Sequence, residues 1–224
     1  MSKNITNAVV IGATGLIGRI LVKRLIQLES CEKLLVITRR EDKSLNSINK
    51  VQQLVIDDLL MINDQDVNGF SHAFSCLGST IKKAGSKQNF YNIDFEINAH
   101  FADLFVETET HFLMISAEGA DETSMIFYNQ VKGKLENYVL DLDLKRVSIL
   151  RPSLLLGERN EKRVLEDLSQ KIFKAVSHFL PDTFRYKPVT AEQVAYTMVE
   201  IAQQQTENNR IYDNLAIQKY TTEG

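Results

Sequence analysis

Proline and glycine are sparse, three and ten in 224 residues, and they are scattered, which excludes collagen-like and low-complexity chains. Cysteine is nearly absent. Cys31 and Cys76 do not form a CxxC pair, so a disulfide framework is excluded and both read as reduced thiols in or near the core. His72, His100, His111 and His178 fall in no HxxxH, HExxH or Cys/His spacing, and no metal site is expected. No apolar run reaches the roughly 18 residues of a membrane-spanning helix. A positively charged start followed by an apolar stretch is also missing, from which a cytoplasmic location is expected. Positive charge is not in excess: 26 Lys and Arg stand against 29 Asp and Glu, with a pI near 5.9. Neither nucleic acid nor a membrane surface is therefore expected as a partner. Without a GxSxG elbow or a Walker loop, hydrolase and kinase chemistry also lose their support.

The composition present, 44% hydrophobic and 25% charged, is that of a folded globular chain. Short apolar runs alternate with longer segments whose apolar residues recur every three or four positions. The runs are Ala8-Val9-Val10-Ile11, Leu34-Leu35-Val36-Ile37 and Leu54-Val55-Ile56, then 73–77, 112–116 and 147–150, with a last short strand over 210–214. The spacing predicts helices after the first run and near 92–107, 126–140, 161–178 and 190–205. Such alternation predicts an α/β chain over 1–224: one Rossmann domain, a doubly wound and mainly parallel sheet with helices on both faces. Segment 157–188 is expected to build the substrate side, at the carboxyl edge of the sheet.

Between the first run and its helix stands Gly12-Ala13-Thr14-Gly15-Leu16-Ile17-Gly18. Three glycines in this context serve a tight turn, close approach of backbone to a pyrophosphate, and close packing of helix on strand. The helix N-terminus then offers free N–H groups and its positive dipole end to phosphate. Gly12, Thr14, Gly15, Leu16, Ile17 and Gly18 are accordingly expected to hold a dinucleotide. An acid roughly 20 residues further on would bond the ribose 2′-hydroxyl of NAD. Here Thr38-Arg39-Arg40 occupies that place, and two guanidiniums suit a 2′-phosphate, so NADP(H) is favoured over NAD(H).

The chain resembles the short-chain dehydrogenase/reductase superfamily, in its atypical branch, and within it the Tat-interacting-protein-like oxidoreductases. The residues carrying the resemblance are 12–19, 38–40, Cys76-Leu77-Gly78-Ser79-Thr80 with Lys83-Ala84-Gly85, Ile115-Ser116-Ala117-Glu118-Gly119-Ala120-Asp121, 128–134 and Leu150-Arg151-Pro152. They run in order over most of the chain. The resemblance implies a catalytic set of Ser116, Tyr128 and Lys132. Four residues apart, Tyr128 and Lys132 share a helix face. A nearby ammonium favours the phenolate, which lets a tyrosine exchange protons with a substrate oxygen at neutral pH. Lys132 would also hold the nicotinamide ribose, and Ser116 would orient the substrate oxygen. Many relatives carry a second serine where this chain has Ala117.

The resemblance further implies Asp57 or Asp58 near the adenine, Leu77, Gly78 and Ser79 against the adenosine ribose, and Pro152, Leu154 and Leu155 along the nicotinamide carboxamide. Asn92 reads equally as an active-site asparagine or as a helix N-cap. The expected activity is NADP(H)-dependent hydride exchange with a small carbonyl or alcohol. Two alternatives stay open: a non-catalytic NADP(H)-binding regulatory or scaffold protein, and an epimerase or dehydratase. A homodimer is a superfamily expectation only.

Overall fold

The computed structural model describes residues 4–153, 155–156 and 185–220. In chain order these residues form β1 (Asn7–Ile11), α1 (Leu16–Gln27), β2 (Lys33–Thr38), β3 (Val51–Val55), α2 (Asp64–Val67), β4 (His72–Ser75), α3 (Ile81–Ala84), α4 (Lys87–Tyr91), a π-helical segment (Asn92–Glu96) and α5 (Ile97–Asp103). They continue with β5 (His111–Ile115), α6 (Phe127–Asp141), β6 (Arg146–Leu150), β7 (Leu155–Leu156), β8 (Val189–Thr190), α7 (Ala191–Gln204), β9 (Asn209–Tyr212) and α8 (Asn214–Lys219). The main sheet runs β3-β2-β1-β4-β5-β6-β9, and every pairing in it is parallel. The expected Rossmann architecture is therefore the one observed. β7 and β8 pair separately, Leu155 opposite Val189.

Successive strand residues point to opposite faces, which explains why the central strands are apolar throughout. Ala8 and Val10 of β1, with Leu34 and Val36 of β2, pack with Leu21 and Leu25 of α1 and Val194, Met198 and Ile201 of α7. Val9, Ile11, Leu35 and Ile37 join the opposite layer with Phe101, Phe105, Phe112, Leu135 and Val139. There Phe101 meets Phe105 edge-on with ring centres 5.0 Å apart. Each such fully buried ring contributes roughly 1.5–3 kcal/mol through burial alone.

The order of the strands reverses between β1 and β4. Strands added after β1 extend the sheet in one direction, and those from β4 onward extend it in the other. The loops leaving β1 and β4 thus diverge and leave a crevice at their carboxyl ends, the place where α/β sheets of this kind bind ligands.

Two expectations on boundaries change. The helix expected from residue 92 opens at Lys87, because the Ser86 hydroxyl accepts a hydrogen bond from the Asn89 N–H (3.0 Å) and caps it there. Asn92 therefore lies inside a continuing helix and caps nothing at its N-terminus. The expected helix 161–178, and most of segment 157–188, lie outside the described residues.

Candidate active site

A cleft of about 1180 Å3 follows the carboxyl edge of the sheet. Its floor comes from the ends of four strands: Thr14, Gly15, Leu16 and Ile17 after β1, Cys76 through Thr80 after β4, Ile115 through Glu118 after β5, and Pro152 and Ser153 after β6. Tyr128 and Lys132 close it from α6.

The glycine loop is shaped by contacts that only glycine permits. Gly12 has φ +73°, and a Cβ there would stand 2.4 Å from the Cys76 carbonyl carbon; one at Gly18 would stand 2.2 Å from the Gly12 oxygen. The first closeness welds β1 to the end of β4, and the second seats α1 on the loop. Gly15 serves as N-cap of α1 without any side-chain cap, and no acidic residue lies in the first turn. The first-turn N–H groups are consequently left for an anion at the cleft wall. The first turn carries no carboxylate of its own, so the residues of this turn fit a pyrophosphate.

The expected catalytic residues come together. Ser116 is buried, and its Oγ has no hydrogen-bond partner among the described residues. α6 is pressed against the loop that follows Ser116: a Cβ on Gly133 would lie 2.2 Å from the Glu122 nitrogen, and the Asp121 N–H donates to the Asn129 carbonyl at 3.1 Å. Tyr128 packs its ring on fully buried Phe90, centres 5.5 Å apart. These contacts hold hydroxyl, phenol and ammonium on one stretch of wall.

Reading residues by spacing missed Asp94. It lies in the π-helical segment, fully buried, with Oδ1 2.8 Å from Lys132 Nζ and Oδ2 accepting the Ser79 N–H at 2.8 Å. Burial works to lower the Lys132 pKa, but Asp94, Tyr128 and Glu136 overcome it, and the net shift is upward. The ammonium is thus held charged in a buried place. Glu118 was also missed as a structural hub. It pairs with Arg185 and accepts the Asn214 N–H at 2.9 Å. The Asn214 side chain accepts the Ser153 N–H and donates to the carbonyls of Arg185 and Lys187. The wall beyond Pro152 is fastened by these bonds.

Leu77, Gly78 and Ser79 line the cleft, whereas Arg39, Arg40, Asp57, Asp58 and Asn92 do not. Arg39 and Arg40 are exposed at the carboxyl end of β2. The acids beside them are engaged: Glu41 accepts from Asn46 (2.7 Å), and Asp42 from the Ser44 hydroxyl (2.6 Å). Asp58 spends its carboxylate on capping a 3₁₀ turn through the Leu60 N–H at 3.0 Å. Leu154 lies outside the described residues, and Leu155 is described only as backbone of β7. Arg19, Lys23 and Lys83 are cleft residues with positive charge to which no role was assigned from sequence, because nothing in helix periodicity marks them as facing a ligand.

The model of the family described as HIM1 matches residues 29–190. "Protein FMP52-1, mitochondrial" of Scheffersomyces stipitis is 35% identical over 207 residues, spanning 90% of each chain. "Protein HTATIP2" of Rattus norvegicus is 33% identical over 180 residues, 78% of this chain and 72% of that one. Among solved structures, MoeE5 in complex with UDP-glucose and NAD superposes with a TM-score of 0.68 at 14% identity, over 92% of this chain and 74% of its own. Human epimerase family protein SDR39U1 with NADPH gives 0.63 at 12%, over 92% and 72%. The fold is thus shared with nicotinamide-dinucleotide-bound Rossmann proteins. The expected cytoplasmic location is overturned by the FMP52 relatives, which are named mitochondrial. That expectation rested on the lack of a secretory-type apolar leader, whereas mitochondrial targeting segments are amphipathic and escape such a test.

Proposed function

Since the chain belongs to the HIM1 family, with FMP52 and HTATIP2 proteins as relatives, we propose that it is an NADP(H)-dependent oxidoreductase of the short-chain dehydrogenase/reductase type, acting on a small carbonyl or alcohol. The observation that carries this reading is the buried Ser116 hydroxyl, unpartnered among the described residues, in one cleft with Tyr128, Lys132 and the open N-terminus of α1. A buried hydroxyl without a partner costs stability, and a substrate oxygen would supply the missing bond.

The backbone N–H groups of the first turn of α1 would hold the pyrophosphate. Arg39 and Arg40 would hold the 2′-phosphate, and Lys132 the ribose next to the nicotinamide. The bound dinucleotide supplies or accepts the hydride at the substrate carbon. Ser116 donates a hydrogen bond to the substrate oxygen and fixes the carbonyl at the cleft wall. Tyr128 passes its phenolic proton to that oxygen during reduction and takes it back during oxidation. The Lys132 ammonium faces the negative charge that this transfer leaves on the phenolic oxygen. With the wall already assembled, little reorganisation accompanies the proton transfer.

The test is loss of NADPH absorbance against a panel of aldehydes and ketones, followed by Tyr128→Phe and Ser116→Ala on any carbonyl that reacts. The expected result is a fall in kcat of about 10²-fold or more for Tyr128→Phe. Unchanged turnover in Tyr128→Phe would remove the assigned mechanism. No consumption with any carbonyl would favour the non-catalytic alternative.

A further inference from the structure

Three pieces of the cleft meet at one buried carboxylate. The loop 77–79 passes so close to Asp94 and Lys132 that a Cβ on Gly78 would stand 3.3 Å from Asp94 Oδ1 and 3.7 Å from Lys132 Nζ. Neither partner of the ion pair reaches solvent appreciably, with side chains 4% and 0% exposed for Lys132 and Asp94. Burying such a pair is costly and is tolerated only with good geometry and further hydrogen bonds. Here Lys132 Nζ stands 2.8 Å from Asp94 Oδ1 as an ion pair, and the second oxygen of Asp94 accepts the Ser79 N–H.

The backbone is built to place this carboxylate. Over Asn92–Glu96 the helix widens to π register, with the Ile97 N–H reaching back to the Asn92 carbonyl. Single π turns cost helix geometry and recur at functional sites. The widening is anchored to the sheet by Asn98, whose Nδ2 donates to the Ile93 carbonyl at 2.9 Å while its Oδ1 accepts from the Ser75 hydroxyl at the end of β4. Asp94 thus stands on a turn tied to the same strand from which the loop 77–79 departs.

We propose that Asp94 is a positioning residue for the cleft: its carboxylate clamps the Lys132 ammonium to the 77–79 backbone, fixing in one unit the lysine charge, its location and the loop expected to face the cofactor. The inference rests on the oxidoreductase reading of Tyr128 and Lys132, and deepens it by naming what keeps Lys132 in working form. The other charged or titratable groups acting on Lys132 are Tyr128 and Glu136, one helical turn to either side on α6. Glu136 is itself committed to Arg151. Asp94 is therefore the one close counter-ion supplied from another element among the described residues.

Asp94→Asn tests this, because the amide keeps the shape and can still accept the Ser79 N–H but carries no charge. With burial then opposed by less negative charge, Lys132 should release its proton at a lower pH than in the parent. A lysine whose folded-state pKa lies below its unfolded value weakens the fold fully below the folded value and progressively less up to the unfolded value. The melting temperature of Asp94→Asn should accordingly climb with rising pH from that deprotonation up to the ordinary lysine value of about 10.4, over a range where the parent shows no such climb. The basic limb of NADPH-dependent carbonyl turnover should move down by about one pH unit or more, with its midpoint at the pH where the climb in melting temperature begins. Asp94→Asn combined with Lys132→Met should melt cooperatively without the climb, and this comparison can still be made if the single variant fails to fold. A melting profile of Asp94→Asn parallel to the parent at every pH would overturn the proposal, as would a double variant no better folded than a non-folding single one. A clear climb in melting temperature with no turnover in any form would refute the oxidoreductase reading and uphold the pairing.

Discussion

Replacing Gly18 and Gly15 by alanine separates the two duties of the glycine loop. At Gly18 the added Cβ would stand 2.2 Å from the Gly12 oxygen and 2.9 Å from the Ala13 Cα. Both are backbone atoms that cannot rotate aside, so the helix must shift. Overpacking of this kind costs about 1–3 kcal/mol, and a backbone obstacle places it near 3. Alanine regains about 1 kcal/mol of helix propensity, which leaves roughly 2 kcal/mol. In a domain of this size that lowers the melting temperature by about 4–8 °C. At Gly15 the nearest atom, again the Gly12 oxygen, would lie 3.2 Å away, and φ −73° with ψ 173° suits any residue. The fold should therefore lose less than about 1 kcal/mol. Its methyl group would instead occupy the wall where a pyrophosphate must approach, and NADPH binding should weaken at least tenfold, about 1.4 kcal/mol. Melting followed by circular dichroism and calorimetric titration with NADPH read the two effects separately. If Gly18→Ala melts with the parent, or if Gly15→Ala binds as tightly, the reasoning about backbone approach is wrong.

Other perturbations follow from the same structure. Glu136→Ala strands Arg151, whose side chain is still 22% exposed, so the loss should lie at the low end for a broken buried pair, about 3 kcal/mol by urea denaturation; a loss below the error of the method would contradict the pairing. Cys76 lines the cleft, yet burial pushes its thiol up to about 12, so iodoacetamide at pH 8 should leave it unmodified until the chain is unfolded, as read by mass spectrometry. Tyr212, held up to about 12 first of all by burial, should ionise last or nearly so in an ultraviolet titration of the seven tyrosines. Its raised folded-state value contributes stability that is complete below the ordinary value near 10 and is lost as pH rises through about 12. Tyr212→Phe should therefore lose less stability over that alkaline window.

What could be read from the residues alone was local. Val9, Val10, Leu35 and Val36 announce buried parallel strands because both faces of such strands are covered, and the glycine loop is recognisable because turn, approach and packing act within seven residues. That Ser116, Tyr128 and Lys132 would meet at one cleft was also legible, through their order along a familiar framework. Asp94 was not, since its meaning arises only when a widened helical turn brings it to Lys132 from a distant part of the chain. Asp58 illustrates the reverse: its place after a strand suggested a ligand contact, yet its carboxylate caps a turn. Asn92 was misplaced for a similar reason, because Ser86 starts the helix one turn earlier than apolar periodicity indicated. Location was not legible either, as the FMP52 relatives show.

Calorimetric titration with NADPH and with NADH tests most directly the proposed binding of a nicotinamide dinucleotide in this cleft and of its 2′-phosphate by Arg39 and Arg40. The expected outcome is one site per chain, NADPH bound about tenfold or more tightly than NADH, and the difference erased when Arg39→Ala and Arg40→Ala are combined. Equal affinities in the parent would contradict the cofactor assignment, and no heat with either dinucleotide would contradict the account as a whole.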